Sequence, residues 1–168
     1  MHKKSGFTLL EMLLVMIIMG VLLAMTLGFG SGRVKDLDRQ SVSDQFVDGF
    51  HTLVGQSRTS SYLYGQKYNQ LLVHFGSGDH GLITHFSGST IVLTGFTSGV
   101  FVLDHMVSNA AVVSSIDVEL TPYAIGCQIR AGNTMLSGAT IWTHISGQEY
   151  CYHLESSLCT LKKIACSQ

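Results

Sequence analysis

From Phe7 to Phe29 the chain reads FTLLEMLLVMIIMGVLLAMTLGF, twenty-three residues with a single ionisable side chain, Glu11. As a helix rising about 1.5 Å per residue, this run reaches roughly 34 Å, enough to cross the ~30 Å hydrocarbon core of a bilayer. Lys3 and Lys4 precede it, and basic flanks stay on the cytoplasmic side, which predicts a single-pass helix with the remainder outside. A secretory signal would have a shorter apolar core, about 7–15 residues, closed by a small-x-small cleavage site. This run is longer and no such site closes it. A plain membrane anchor fits the length but leaves Glu11 without a purpose. A carboxylate in a spanning helix costs on the order of 2.5–3.5 kcal/mol, so it marks a functional position that needs a partner.

Cutting the chain between Gly6 and Phe7 would supply one. The cut frees an α-amine at Phe7, beside the apolar helix. In a bundle of staggered helices that amine can meet Glu11 of a neighbouring subunit. The attraction is strong at low dielectric, and either charge alone would be costly. Such a pair would set the axial offset between subunits.

The stretch Lys3-Lys4-Ser5-Gly6-Phe7-Thr8-Leu9-Leu10-Glu11 resembles the class III signal of type IV pilins and type II secretion pseudopilins. The shared pattern is a basic leader ending in Gly, then Phe-Thr-Leu-x-Glu, then a long apolar helix. The resemblance implies cleavage after Gly6 by a prepilin peptidase, N-methylation of Phe7, and assembly with other pilin or pseudopilin subunits on an inner-membrane platform. One departure concerns the helix. Major pilins usually carry a proline near the position of Gly28, whereas the one proline of this chain is Pro122. Gly20, Gly28, Gly30 and Gly32 stand there instead, and each weakens a helix by about 1 kcal/mol relative to Ala. They either loosen the helix near residues 28–32 or simply mark the membrane exit.

Beyond the glycines, Phe46, Phe50, Leu53 and Val54 recur at helical spacing, backed by Val42 and Val47, with Asp44, Gln45, Asp48 and His51 on the opposite face. This predicts an amphipathic continuation from about Val34 to Tyr62, packed on a sheet by its Phe-rich stripe. Arg33, Lys35, Asp36, Asp38 and Arg39 mix both signs just after the apolar run and read as a solvated face. From Lys67 onward come short runs rich in β-branched and aromatic residues: YNQLLVHF, GLITHF, TIVLT, VFVLDH, VSSIDVEL, AIGCQIR, ATIWTHI and EYCYHL. Gly and Ser punctuate them as an antiparallel β domain requires. The expected class is α+β, a long N-terminal helix packed on an antiparallel β-sheet head, as in pilins. Its segments are a leader over 1–6, a transmembrane helix over 7–29, an amphipathic continuation over 30–66 and a periplasmic head over 67–168. Residues 7–75 are similar to the H-type minor pseudopilins of type II secretion, a domain type that also occurs in minor type IV pilins.

Four cysteines, Cys127, Cys151, Cys159 and Cys166, crowd the last quarter of the chain and favour disulfides in an oxidising compartment. They permit three pairings. If AIGCQIR and EYCYHL are neighbouring strands, Cys127 faces Cys151 and Cys159 closes a terminal loop with Cys166; spacing alone does not decide this. A formal net charge of −1 lacks the basic excess of a nucleic-acid binder, and Lys162–Lys163 is the only late basic pair. His74, His80 and His85 with Asp79, and His144 and His153 around Cys151, show no zinc spacing. Asp117 and Glu119 share a strand face, a weak calcium signal. Neither G-x-S-x-G nor a phosphate-binding glycine loop occurs. No metal, cofactor or catalytic residue is therefore expected. The expectation is a non-enzymatic filament subunit in the bacterial inner membrane with a periplasmic head: a minor pseudopilin, or a minor type IV pilin serving pilus assembly, adhesion, motility or DNA uptake. The competing class is a tethered periplasmic binding or enzyme domain, which has no use for Glu11.

Overall fold

The computed structural model describes residues 9–86, 88–109 and 111–166, with the backbone alone at 26–32 and Leu93. Two compact units divide the chain, Met1–Asp38 and Arg39–Gln168. One helix, α1 (Leu9–Thr59), contributes to both. It continues through Gly28, Gly30 and Gly32, so the glycines do not end it. The continuation expected to reach Tyr62, in a segment drawn to residue 66, stops at Thr59. The Ser60 N–H still bonds the Gln56 carbonyl (2.8 Å), but the Tyr62 N–H turns to the Ser60 hydroxyl (3.0 Å). A serine side chain competing for backbone groups in this way ends helices. A hairpin follows at once, β1 (Tyr62–Leu63) and β2 (Gln66–Lys67), turning through Tyr64 and Gly65 at positive φ.

In the second unit α1 supplies the stripe Val42, Phe46, Phe50, Leu53 and Val54, all buried. These positions recur at three- and four-residue intervals and so share one face. Gly49 lets that face close on the strands behind it, since a Cβ there would lie 2.7 Å from Thr94 Oγ1 and 3.0 Å from Leu82 Cδ1. At the near end Arg39 donates to Gln148 Oε1 (3.2 Å) and the Ser146 carbonyl (3.3 Å).

The strands are β3 (Leu71–Gly76), β4 (Gly81–Phe86), β5 (Ser89–Gly95), β6 (Phe101–Ser108), β7 (Ala111–Val113), β8 (Ser115–Leu120), β9 (Gln128–Ala131), β10 (Thr134–Leu136), β11 (Gly138–Ile145), β12 (Gln148–Glu155) and β13 (Thr160–Ile164). They form two antiparallel sheets, a six-stranded one in the order β10-β9-β8-β3-β4-β5 and a five-stranded one in the order β13-β12-β11-β6-β7. The chain changes sheet after β5, returns at β8 and leaves again after β10. The β3–β4 turn ties the sheets together, Gly78 N–H to the Leu103 carbonyl (2.7 Å) and Leu103 N–H to the Asp79 carbonyl (2.9 Å). Phe46 packs on both, its ring centroid 6.1 Å from Phe75, 4.9 Å from Phe101 and 5.2 Å from Tyr152. Buried aromatic contacts of this kind add about 0.5–1.5 kcal/mol each to the burial itself.

The disulfides correct one expectation. Cys127 pairs with Cys159 and Cys151 with Cys166, with Cα atoms 5.3 and 5.2 Å apart. Cys127 does not face Cys151, because AIGCQIR is not one strand. Its first half is loop, and β9 begins only at Gln128, in the six-stranded sheet. Cys151 lies on β12 in the other sheet, opposite Ile164 of β13, so the residues just past β13 reach it. The Cys127 N–H bonds the Ser156 carbonyl (3.0 Å), which brings Cys127 to the β12–β13 turn where Cys159 sits.

Candidate functional site

The first unit holds no core of its own among its described side chains. Between Leu9 and Met25 every residue is exposed, including fourteen large apolar ones. Leu, Met, Ile and Val occupy nearly every position, so they surround the helix instead of lining one face. A helix that is apolar all round is covered by lipid or by other helices. Each such side chain gains about 1.5–3 kcal/mol on leaving water, so the stretch as a whole carries a drive of tens of kcal/mol toward a partner outside this chain.

Glu11 sits in the first turn of α1, exposed among those side chains. An acid there is favoured by the helix dipole, by roughly 0.3–1 kcal/mol at an exposed site. That is less than the cost of carrying a carboxylate into a membrane, so the dipole alone does not account for it. Gly6 and Phe7, the expected cleavage site and its new amine, lie outside the described residues. The expected crossing over 7–29 is described at side-chain level only from Leu9 to Met25, seventeen residues. Among the described residues no helix is long and apolar enough to cross a membrane.

Four histidines of the head each have a polar partner. His74 Nδ1 lies 2.7 Å from Asp117 Oδ1, His105 Nδ1 2.9 Å from Asp104 Oδ2, His85 Nδ1 2.9 Å from Thr90 Oγ1 and His80 Nδ1 2.9 Å from the Phe101 carbonyl. Glu119 faces Arg130 at 3.4 Å, so the two acids of that strand each have a protein partner. Among the described residues no group of three or more His, Cys, Asp or Glu is placed to hold a metal ion. A depression of about 420 Å³ on the five-stranded sheet is floored by Trp142, whose ring stacks on His105 at 5.2 Å and 15°. Inside the core, burial pushes the Tyr152 phenol up to about 12, against the lowering effect of its hydrogen bond to Ser43 Oγ (2.8 Å).

The family model of the prokaryotic N-terminal methylation motif matches residues 1–27. The N-terminus is of prepilin type. The motif indicates the type IV pilin and pseudopilin class, and it implies processing by a prepilin peptidase, assembly with other pilin subunits and a membrane anchor. No curated protein and no solved structure matches the chain.

Proposed function

We propose that this chain is a non-enzymatic subunit of a type IV pilus-like filament, and within that class a minor pseudopilin of a type II secretion system. The observation that carries the first part is Glu11 standing in a helical stretch, Leu9–Met25, whose apolar side chains are all exposed. Such a surface needs other helices or lipid, and a buried carboxylate among them needs a cation. The amine freed at Phe7 on a neighbouring subunit is that cation, and the pairing fixes subunit offset. A monomeric tether would gain nothing from Glu11. Two disulfides in the head suit a periplasmic location. The second part rests on the likeness of residues 7–75 to H-type pseudopilins.

The test has two steps. The full chain is expressed with and without a prepilin peptidase, and the membrane fraction is weighed intact by mass spectrometry. Loss of residues 1–6 with one methyl on Phe7 supports the filament class, whereas an uncut chain, or one cut near residue 24, overturns it. Deleting the protein in its host then separates the machines. Loss of exoprotein export supports the secretion reading, and loss of pili or of transformation with export intact replaces it with a pilus.

A further inference from the structure

Nine large apolar or aromatic side chains are exposed on the described part of Arg39–Gln168. Four of them, Val92, Val112, Met135 and Ile164, stand singly on β5, β7, β10 and β13. The other five, Tyr62, Tyr64, Tyr123, Ile125 and Leu158, are 52–70% exposed and gather at the C-terminal end of α1. Three loops present them, and each is fastened to the last turn of that helix. Gln56 Nε2 donates to the Tyr62 carbonyl (3.2 Å), the Tyr123 N–H donates to the Ser57 carbonyl (2.8 Å), and Arg58 Nη2 donates to the Ile125 (2.7 Å) and Leu158 (2.6 Å) carbonyls. The Cys127–Cys159 disulfide closes the last two loops on each other. Gly126 allows this approach, because a Cβ there would sit 3.0 Å from the Ser156 and Ser157 carbonyl oxygens.

We infer that this loop cluster is a docking surface for a folded protein other than a second copy of this chain, one offering an uncharged, apolar face. Three features specify that occupant. The loops 60–66, 121–127 and 156–159 contain no charged residue, and Tyr, Ser and Gly supply nine of their eighteen positions. Recognition loops of binding proteins have this composition, because tyrosine gives large contact area at low entropic cost and serine adapts its hydrogen bonds. The area is adequate. At ~200 Å² for a whole large side chain, the five expose about 600 Å², close to the ~800 Å² that each partner contributes to a standard interface. The loops are also preorganised by the disulfide and Arg58, and Tyr64, Tyr123 and Cys159 are held at positive φ (49°, 65° and 49°). Backbone strain of this sort persists where the surroundings over-determine it and clusters at binding sites. Beside Leu158, a depression of about 220 Å³ between His51, Gly55 and Arg58 offers a socket for a partner's side chain.

A second copy of the chain is a poorer fit. A head-to-tail contact between heads needs a receiving patch elsewhere, and the other exposed apolar side chains on the described part of Arg39–Gln168 are scattered over four strands. A two-fold contact through the cluster would bring the exposed Arg58 of each copy toward the other. The inference does not depend on which filament the chain joins.

To test it, the full-length chain is expressed in its host with a photo-crosslinking amino acid at Tyr62, Tyr64, Ile125 or Leu158, and at Val92 or Val112 as controls. Adducts to one different protein from the loop positions, absent from the controls, are expected. That protein is then purified and its affinity for the full chain in detergent is measured. Tyr64→Asn with Tyr123→Asn should weaken binding at least about tenfold, as loss of aromatic anchors does. Asn tolerates the left-handed backbone, so the melting temperature should hold. Raising salt about tenfold should change affinity less than about twofold, since the three loops carry no charge and the one cation among them, Arg58, is tied to the Ile125 and Leu158 carbonyls. Adducts only between copies of this chain, equal labelling at the controls, no adducts at all, or an affinity indifferent to the double substitution would each overturn the proposal. A failed filament assignment is read separately, from the mass of the N-terminus.

Discussion

Two stretches of one helix make the sharpest contrast in the molecule. Leu9–Met25 and Val42–Val54 are both α-helical and both rich in large apolar residues, yet every residue of the first is exposed while Phe46 and Phe50 of the second are fully buried. Secondary structure is the same, and periodicity is what differs. In the first stretch apolar side chains fill nearly every position around Glu11, so no face is preferred. In the second they recur at every third or fourth position, leaving Asp44, Gln45 and Asp48 on the exposed side. The first stretch is left for lipid or other helices to cover, and the second is covered by its own two sheets.

Substitutions can break this division. The largest effect is expected at Gly6: Gly6→Leu should abolish leader removal and filament incorporation, seen as an uncut mass, with head stability unchanged. Glu11→Ala should be cut and inserted but incorporated poorly. Normal incorporation of that variant would remove the ion pair from the account. Next in size, Phe46→Ala should destabilise the head by about 3–5 kcal/mol, because Phe46 bridges Phe75, Phe101 and Tyr152. Leu14→Ala, in the exposed stretch, should leave head melting unchanged. If it lowers melting as well, the two stretches are not independent.

Smaller effects sharpen what holds the head. Replacing both Cys151 and Cys166 by Ser, or both Cys127 and Cys159, should cost about 2–4 kcal/mol by denaturant unfolding, slightly more for the second pair, whose residues lie 32 apart in sequence against 15. Peptide mapping without reduction should recover the same two pairs. The smallest effect concerns alkaline pH. Tyr152 is raised in the folded state from 10.0 to about 12, so its unfolded form loses the proton first. Stability is then unaffected by this group below pH 10 and falls by about 2–3 kcal/mol as pH rises to 12. Tyr152→Phe should flatten that part of the profile, and an unchanged slope would assign it to another group.

Much of this was readable along the chain. The Phe-rich stripe declares itself by spacing, and all eight of the expected strand runs contain or overlap a strand of the structure. Strands β1, β2, β7, β10 and β13 are missing from that reading. The first four are only two or three residues long and too short to show alternation, while β13, TLKKI, carries two lysines on an edge strand. The tyrosine loops also gave no pattern signal, because Tyr62, Tyr123 and Leu158 are far apart in sequence and meet only at the end of α1.

The sequence by itself determined the prepilin-type start, the uniformly apolar stretch with Glu11 and the inward face of the later helix. Each of these is a local pattern, written within a few helical turns. Only the tertiary structure decided how the strands divide between two sheets, which cysteines meet, and that three neutral loops form one surface. Those depend on where the chain goes after β5, β7 and β10. A return of that kind is set by the summed packing of side chains distant in sequence, for which no single segment carries a signal.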